Sequence, residues 1–103
     1  MSNNSVQPGD TIVEKREHKI QTPKLYRVML LNDDYTTMDF VVEVLEQVFQ
    51  KGPAEAFRLM MQVHAQGSAI CGVYTYEIAE TKVDIIRDLA KTEGVPLQAK
   101  IEE

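Results

Sequence analysis

The sequence predicts an α+β fold. It is a two-layer sandwich of order β-α-α-β-α-β, with three helices on a three-stranded, mainly antiparallel sheet, preceded by a disordered N-terminal tail. Three observations carry this. Three segments, 25–31, 68–74 and 97–102, are either continuous apolar runs or alternate with period two, as strands do. Three segments between them repeat apolar residues every three or four positions and are bounded by capping residues. The last strand has one polar face, so the sheet needs covering on the other face only.

The chain has 103 residues, 44% of them hydrophobic, which is one domain's worth. Residues 1–23 read as a flexible extension and 24–103 as the folded domain. The extension is rich in Ser, Asn, Gln, Thr and charge, with few large apolar residues (Val6, Ile12, Val13, Ile20). Such a segment cannot bury enough surface to offset its ordering entropy.

The first strand, 25–31, is mostly apolar on both faces. It ends in Asn32-Asp33-Asp34-Tyr35, a turn composition. Thr36 is the expected N-cap of the first helix, with Asp39 three residues on as a weaker capping box. Val41, Val44, Leu45 and Val48 fall at core spacing, and the helix is expected to stop at Lys51-Gly52. Gly52-Pro53 opens the second helix, with proline where a missing N–H costs nothing. It runs to about Gln66, with Gly67 as its stop. After the second strand, Thr75 can cap a third helix that carries Glu77 and Glu80 near its positive end. Its apolar stripe is Ala79, Val83, Ile86 and Ala90, supported by Ile78, Ile85 and Leu89, and Gly94 and Pro96 end it. Leu97, Ala99 and Ile101 then alternate with Gln98, Lys100 and Glu102 as the third strand.

Several function classes fall away on composition. The longest apolar run, 69–74, is six residues and includes a glycine, against the roughly 18–20 that a membrane helix needs. Residues 1–22 lack the apolar region of a secretory signal. The single cysteine, Cys71, precludes an internal disulfide and is compatible with a reducing cytoplasm. Acidic residues outnumber basic ones by 16 to 11, for a net charge of −5. Nucleic-acid binders draw most of their affinity from cations on phosphates, so nucleic acid is not an expected partner. The imbalance lies in the body: residues 1–24 hold four basic and three acidic residues, leaving seven and 13 for 25–103.

Three constellations could carry chemistry. On the second helix, Glu55, Arg58, Gln62 and Gln66 form one narrow polar stripe, and the remainder is apolar except for His64. That arc is wider than packing on a sheet requires. Either it touches both the sheet and the first helix, or part of it, Met60 and Val63, lines a groove. His64 is either a satisfied core histidine or a ligand-binding group. Asn32-Asp33-Asp34 is either an ordinary strand-to-helix turn or a set of acceptors for a cationic ligand head. It lacks the glycine and terminal glutamate of a calcium loop, and Asp33, Asp34 and His64 have no metal-ligand spacing, so neither metal nor cofactor is expected. Cys71 and His64 could pair as nucleophile and base. However, Cys71 sits in an apolar strand, where a free cysteine is usually a small hydrophobe, and catalysis is not expected. The methionines Met29, Met38, Met60 and Met61 suit an irregular apolar surface, and Met38 directly follows the acidic loop.

Taken together, these segments resemble the ClpS family, small adaptors of the Clp protease that recognise N-degrons. The carriers are Asn32-Asp33-Asp34-Tyr35-Thr36 with Met38 and Phe40-Val41; Leu59-Met60-Met61 with Val63-His64 and Gln66-Gly67; Ala69-Ile70-Cys71-Gly72-Val73; and Ala79-Glu80-Thr81-Lys82-Val83. They span 24–102. Adaptors of this type commonly have proline where this chain has Thr37, expected here as the first helical residue, so some rigidity is lost. The resemblance implies the sandwich read above, similar to the C-terminal domain of the bacterial ribosomal stalk protein.

The resemblance also implies a function. Proteins whose first residue is Leu, Phe, Tyr or Trp would be captured and handed to a ClpA-type AAA+ unfoldase in a bacterial cytoplasm, by an adaptor that is a monomer in solution. Asn32, Asp33 and His64 would hold the free α-amino group. Asp34 and Thr36 would shape the loop and meet the following backbone. Met38, Val41, Met60, Val63 and Leu97 would line the side-chain pocket. Glu77 and Lys82 would dock on the unfoldase, and the tail would engage its pore. The alternative is a stalk-like interaction domain without an amine pocket, which has no reason to combine Asn32, Asp33 and His64.

Overall fold

The computed structural model describes residues 22–103. Six elements follow in order: β1 (Tyr26–Leu31), α1 (Met38–Gln47), α2 (Pro53–Gln66), β2 (Ser68–Tyr74), α3 (Tyr76–Glu93) and β3 (Gln98–Glu102). The strands form one sheet of order β2-β1-β3, antiparallel at both pairings. Most of the expected extension, residues 1–21, lies outside the described residues.

β1 is central, and its alternation decides the layering. Val28 and Leu30 are fully buried on the helix side, whereas Arg27 on the opposite face is exposed and Met29 and Leu31 are half-buried. Leu30 stands between Ala69 on β2 and Ala99 on β3, two small neighbours that leave room for helices beside it. The register of β2 shifts between Val28 and Met29, where Cys71 is the extra residue, and its side chain also points into the core. Val41, Val44 and Leu45 from α1, with Val48 just past its end, share one core with Ala56, Leu59, Met60 and Val63 from α2 and Ala79, Ile86 and Ala90 from α3. Among the described residues, no polar or charged side chain is buried.

Three local expectations are corrected. The N-cap of α1 is Thr37, whose hydroxyl accepts from the Phe40 N–H at 3.1 Å. Thr36 lies one residue outside the cap, its hydroxyl turned to donate to Asp33. Threonine here supplies a cap hydrogen bond that proline could not form, worth about 1 kcal/mol. Secondly, α1 ends at Gln47, before Lys51-Gly52. Gln50 adopts φ 52° and its side-chain amide donates to the Gln47 carbonyl at 2.8 Å, closing the turn. Finally, Ile78 and Ile85 are exposed on α3. Ala79, Ile86 and Ala90 already form the stripe that faces the sheet, and Ile78 and Ile85 lie one residue, about 100°, off it. Gly67 and Gly94 end their helices in the left-handed conformation as expected, and Thr75 occupies the N-cap position without a side-chain cap bond.

Candidate functional site

The loop that follows β1 is organised by one carboxylate. Asp33 Oδ1 accepts from the backbone N–H of Tyr35 at 2.8 Å and of Thr36 at 2.7 Å. Its Oδ2 accepts from the Thr36 hydroxyl at 2.7 Å. Desolvation at this part-buried position pushes the Asp33 carboxyl up, but the bonds from Thr36 and Tyr35 outweigh it and hold the group below the usual carboxylate range. A carboxylate offers about four lone-pair sites, so one remains on Oδ2 for a further donor. The loop is also pinned from the other side: the Asn32 N–H donates to the Gly67 carbonyl at 2.9 Å, at the C-terminal end of α2.

That pin places the loop against one face of α2. Met60, Val63 and His64 lie at i, i+3 and i+4, so a single face presents all three. Met60 and Val63 are buried, but His64 is exposed, which removes the core-histidine alternative. α1 enters from the third side with Met38 in its first turn and Val41 one turn on. Met38 is 43% exposed and Val41 6%, so the two run from rim to floor. Between these walls lies a cavity of about 220 Å³ lined by Asn32, Asp33, Asp34, Thr36, Met38, Val41, Met60, Val63 and His64. It is smaller than the roughly 300–1,000 Å³ of drug-sized sites. One side chain fits it, with the loop contributing polar acceptors and the helices contributing apolar walls together with His64.

The remaining expected positions lie elsewhere. Leu97 is buried and does not line this cavity; it lies under a second depression between α3 and β3. Glu77 is exposed in the first turn of α3. Lys82 is half-buried and donates to the Val48 carbonyl at 2.6 Å and to Gln50 Oε1 at 3.3 Å, with its ammonium 5.4 Å from the centre of the Tyr74 ring. Two roles were therefore not visible in the sequence: Asp33 as the organiser of its own loop, and Lys82 as the cap on the C-terminal end of α1. The offset of three between Asp33 and Thr36 was the only local signal for the first. The second joins residues 34 positions apart and leaves no pattern. The wide apolar arc of α2 resolves into a buried side and an open one: Phe57 and Met61 face solvent.

Two chemical alternatives can be weighed. Cys71 is 1% exposed, and burial pushes its thiol up to about 11, so it is no thiolate nucleophile at neutral pH. Among the described residues, no group of three or more His, Cys, Asp or Glu side chains is placed to hold a metal ion. No helix among them is long and apolar enough to cross a membrane.

A family model described as the ATP-dependent Clp protease adaptor protein ClpS matches residues 21–100. The chain belongs to the ClpS family. Among its relatives, the ATP-dependent Clp protease adapter protein ClpS of Maricaulis maris is 50% identical over 98 residues, covering 95% of this chain and 90% of the relative. The ClpS of Parvibaculum lavamentivorans is 51% identical over 94 residues, covering 91% and 86%. A solved structure of Agrobacterium tumefaciens ClpS2 bound to L-phenylalaninamide superposes with a TM-score of 0.75 at 48% identity, covering 79% of this chain and 98% of that one. The ClpS match includes every residue that lines the cavity. These relatives are named as adaptors and not as enzymes.

Proposed function

We propose that this ClpS-family chain captures proteins by a free, bulky hydrophobic first residue and delivers them to a ClpA-type AAA+ unfoldase for degradation. The observation that carries this is the cavity itself, whose lining combines the acceptors Asn32, Asp33, Asp34 and His64 with the apolar side chains Met38, Val41, Met60 and Val63. An α-ammonium, with a pKa of about 7.7–8.0, is mostly charged at neutral pH and seeks acceptors. Asn32, the remaining lone pair of Asp33 and His64 are gathered to receive it, while Asp34 and Thr36 face the peptide that follows. Met38, Val41, Met60 and Val63 then take the side chain of Leu, Phe, Tyr or Trp. L-Phenylalaninamide, bound by the Agrobacterium relative, is a ligand of this chemistry: a free α-amine, an aromatic side chain and an amide in place of the next peptide bond.

The energetics are consistent. Burying the side chain contributes about 1.5–3 kcal/mol. Each hydrogen bond to the ammonium adds about 1.5–3 kcal/mol. Association costs about 4–15 kcal/mol, so an affinity near micromolar, about −8 kcal/mol, is reachable. That suits an adaptor, which must select and then release. Glu77 and Lys82 are assigned to docking on the unfoldase, and the tail, outside the described residues, to its pore. The protein acts as a monomer in the bacterial cytoplasm.

The test is fluorescence anisotropy with peptides that begin with Leu or Phe. The free peptides should bind and their N-acetylated forms should not. Asp33→Ala and His64→Ala should weaken binding without unfolding the domain. Equal affinity for the acetylated peptide refutes the amine reading.

A further inference from the structure

The second depression, about 500 Å³, is larger than the first and runs along the sheet edge between β3 and the C-terminal half of α3. Its floor is apolar, with Val83, Val95 and Leu97, and α3 contributes Arg87 and Lys91 to its rim; Lys100, opposite Met29, belongs to the other face of the sheet. No carboxylate lines it, although residues 25–103 hold 13 acidic and seven basic residues. Two of those seven cations, Arg87 and Lys91, therefore overlook one groove of an acidic body. Arg87 pairs with Asp84 at 2.8 Å, between exposed side chains. Such pairs are weak and exchange readily for another carboxylate. The strand beside the groove is also open. β3 is hydrogen-bonded to β1 on one side only, so its outer N–H and C=O groups have no strand partner among the described residues.

We infer that this groove binds an extended segment of a partner protein, added to β3 as a fourth strand, with an aliphatic residue in the floor and carboxylates against the cationic rim. Strand geometry dictates the spacing. Residues two apart share a face and stand about 6.6–6.8 Å from one another. The fitting motif is therefore acidic-x-aliphatic-x-acidic, with both carboxylates on the same face as the aliphatic side chain. The added strand supplies main-chain hydrogen bonds, and the floor and rim supply the choice of side chain. The inference does not rest on the amine cavity, which opens between α1, α2 and the acidic loop.

The probe is the peptide Gly-Glu-Thr-Val-Thr-Glu-Gly, labelled, N-acetylated so that it cannot present an α-amine, and amidated at its C-terminus. Anisotropy should show saturable binding. Replacing both glutamates by lysine should abolish it, and raising salt should weaken it. Combined Arg87→Gln and Lys91→Gln should weaken it at least about tenfold, whereas Asp33→Ala should leave it unchanged. Backbone amide shifts should map to Gln98–Glu102. Equal binding of the lysine peptide, or no saturation at millimolar peptide, overturns the inference and leaves the charges as guards against edge pairing. Binding seen only after removal of residues 1–21 also overturns it, since the chain's own extension then fills the groove. So does a concentration-dependent dimer that the peptide dissolves. If the double variant melts early, the charge series on the unaltered chain still decides.

Discussion

The N–H of Asn32 donates to the carbonyl of Gly67 at 2.9 Å, so the acidic loop and the C-terminal end of α2 share one anchor. Gly67 presents that carbonyl from a left-handed conformation with φ 94°, and its own N–H donates to Val63. The two halves of the cavity, Asp33 on the loop and His64 on the helix, are thereby held in register by one backbone turn.

Gly67→Ala tests this anchor. A side chain there meets open space but is strained at this φ. A cost of about 1 kcal/mol is expected, or roughly 4–8 °C in Tm for a domain of this size. Affinity for a Leu-initial peptide should fall more than it does for a control substitution of equal Tm on the exposed face of α3, such as Ile85→Gly. Equal losses would show that the turn stabilises the fold without positioning the site.

The pH dependence has two arms. The α-amine of the ligand loses its charge at about pH 7.7–8.0, so affinity should decline above pH 8. Unchanged affinity between pH 7 and 9.5 would mean that the ammonium is not recognised. The acid arm belongs to Asp33, whose folded carboxyl is held below its usual range chiefly by Thr36 and Tyr35 against the pull of desolvation. A depressed folded value contributes stability that is fully present above the unfolded value, about 3.9, and is lost as pH falls through the folded one. Asp33→Asn should flatten that part of the acid melting profile.

Met38 sits half-exposed at the rim, one helical turn before buried Val41. A first residue branched at Cβ would meet this side chain sooner than one branched further out, and the proposed role of Met38 is to reject Ile and Val. Met38→Ala should admit peptides beginning with either. Continued exclusion in anisotropy would move selectivity to another wall.

Lys82 and Glu77 should separate in a melting experiment. Lys82 caps α1 through Val48 and Gln50, whereas the Glu77 carboxylate makes no hydrogen bond among the described residues. Lys82→Ala should lower Tm by several degrees, about 1 kcal/mol of lost hydrogen bonding. Glu77→Ala should lower Tm less than Lys82→Ala does, by the loss of its interaction with the α3 N-terminus alone, while weakening association with the unfoldase in a pull-down. If both leave Tm unchanged, the Lys82 contacts carry no net stability.

A chain starting at Thr22 tests delivery apart from capture. It should bind Leu-initial peptides normally and fail to accelerate degradation of an N-degron substrate by a reconstituted unfoldase and protease. Full delivery by the shortened chain would show that docking alone suffices.

Much of this was legible in the sequence, because it is encoded locally. Strand alternation, helix spacing and the glycines at 67 and 94 mark the six elements within a few residues. The spacing of Met60, Val63 and His64 already places them on one helix face. The acidic motif, with its neighbours, carries the family resemblance. What the tertiary structure alone decided concerns competition between partners. Thr36 and Thr37 are equally good caps on paper, and Asp33 takes one by closing the loop. Periodicity gives the width of an apolar arc but not which part another element will cover. Hence His64, Phe57 and Met61 are open while Met60 and Val63 are closed, and Ile78 and Ile85 face solvent beside buried Ala79 and Ile86. Lys82 and Val48 meet only when distant segments pack. No spacing along the chain records such a meeting, because the distance that matters is set by how the helices lie across the sheet.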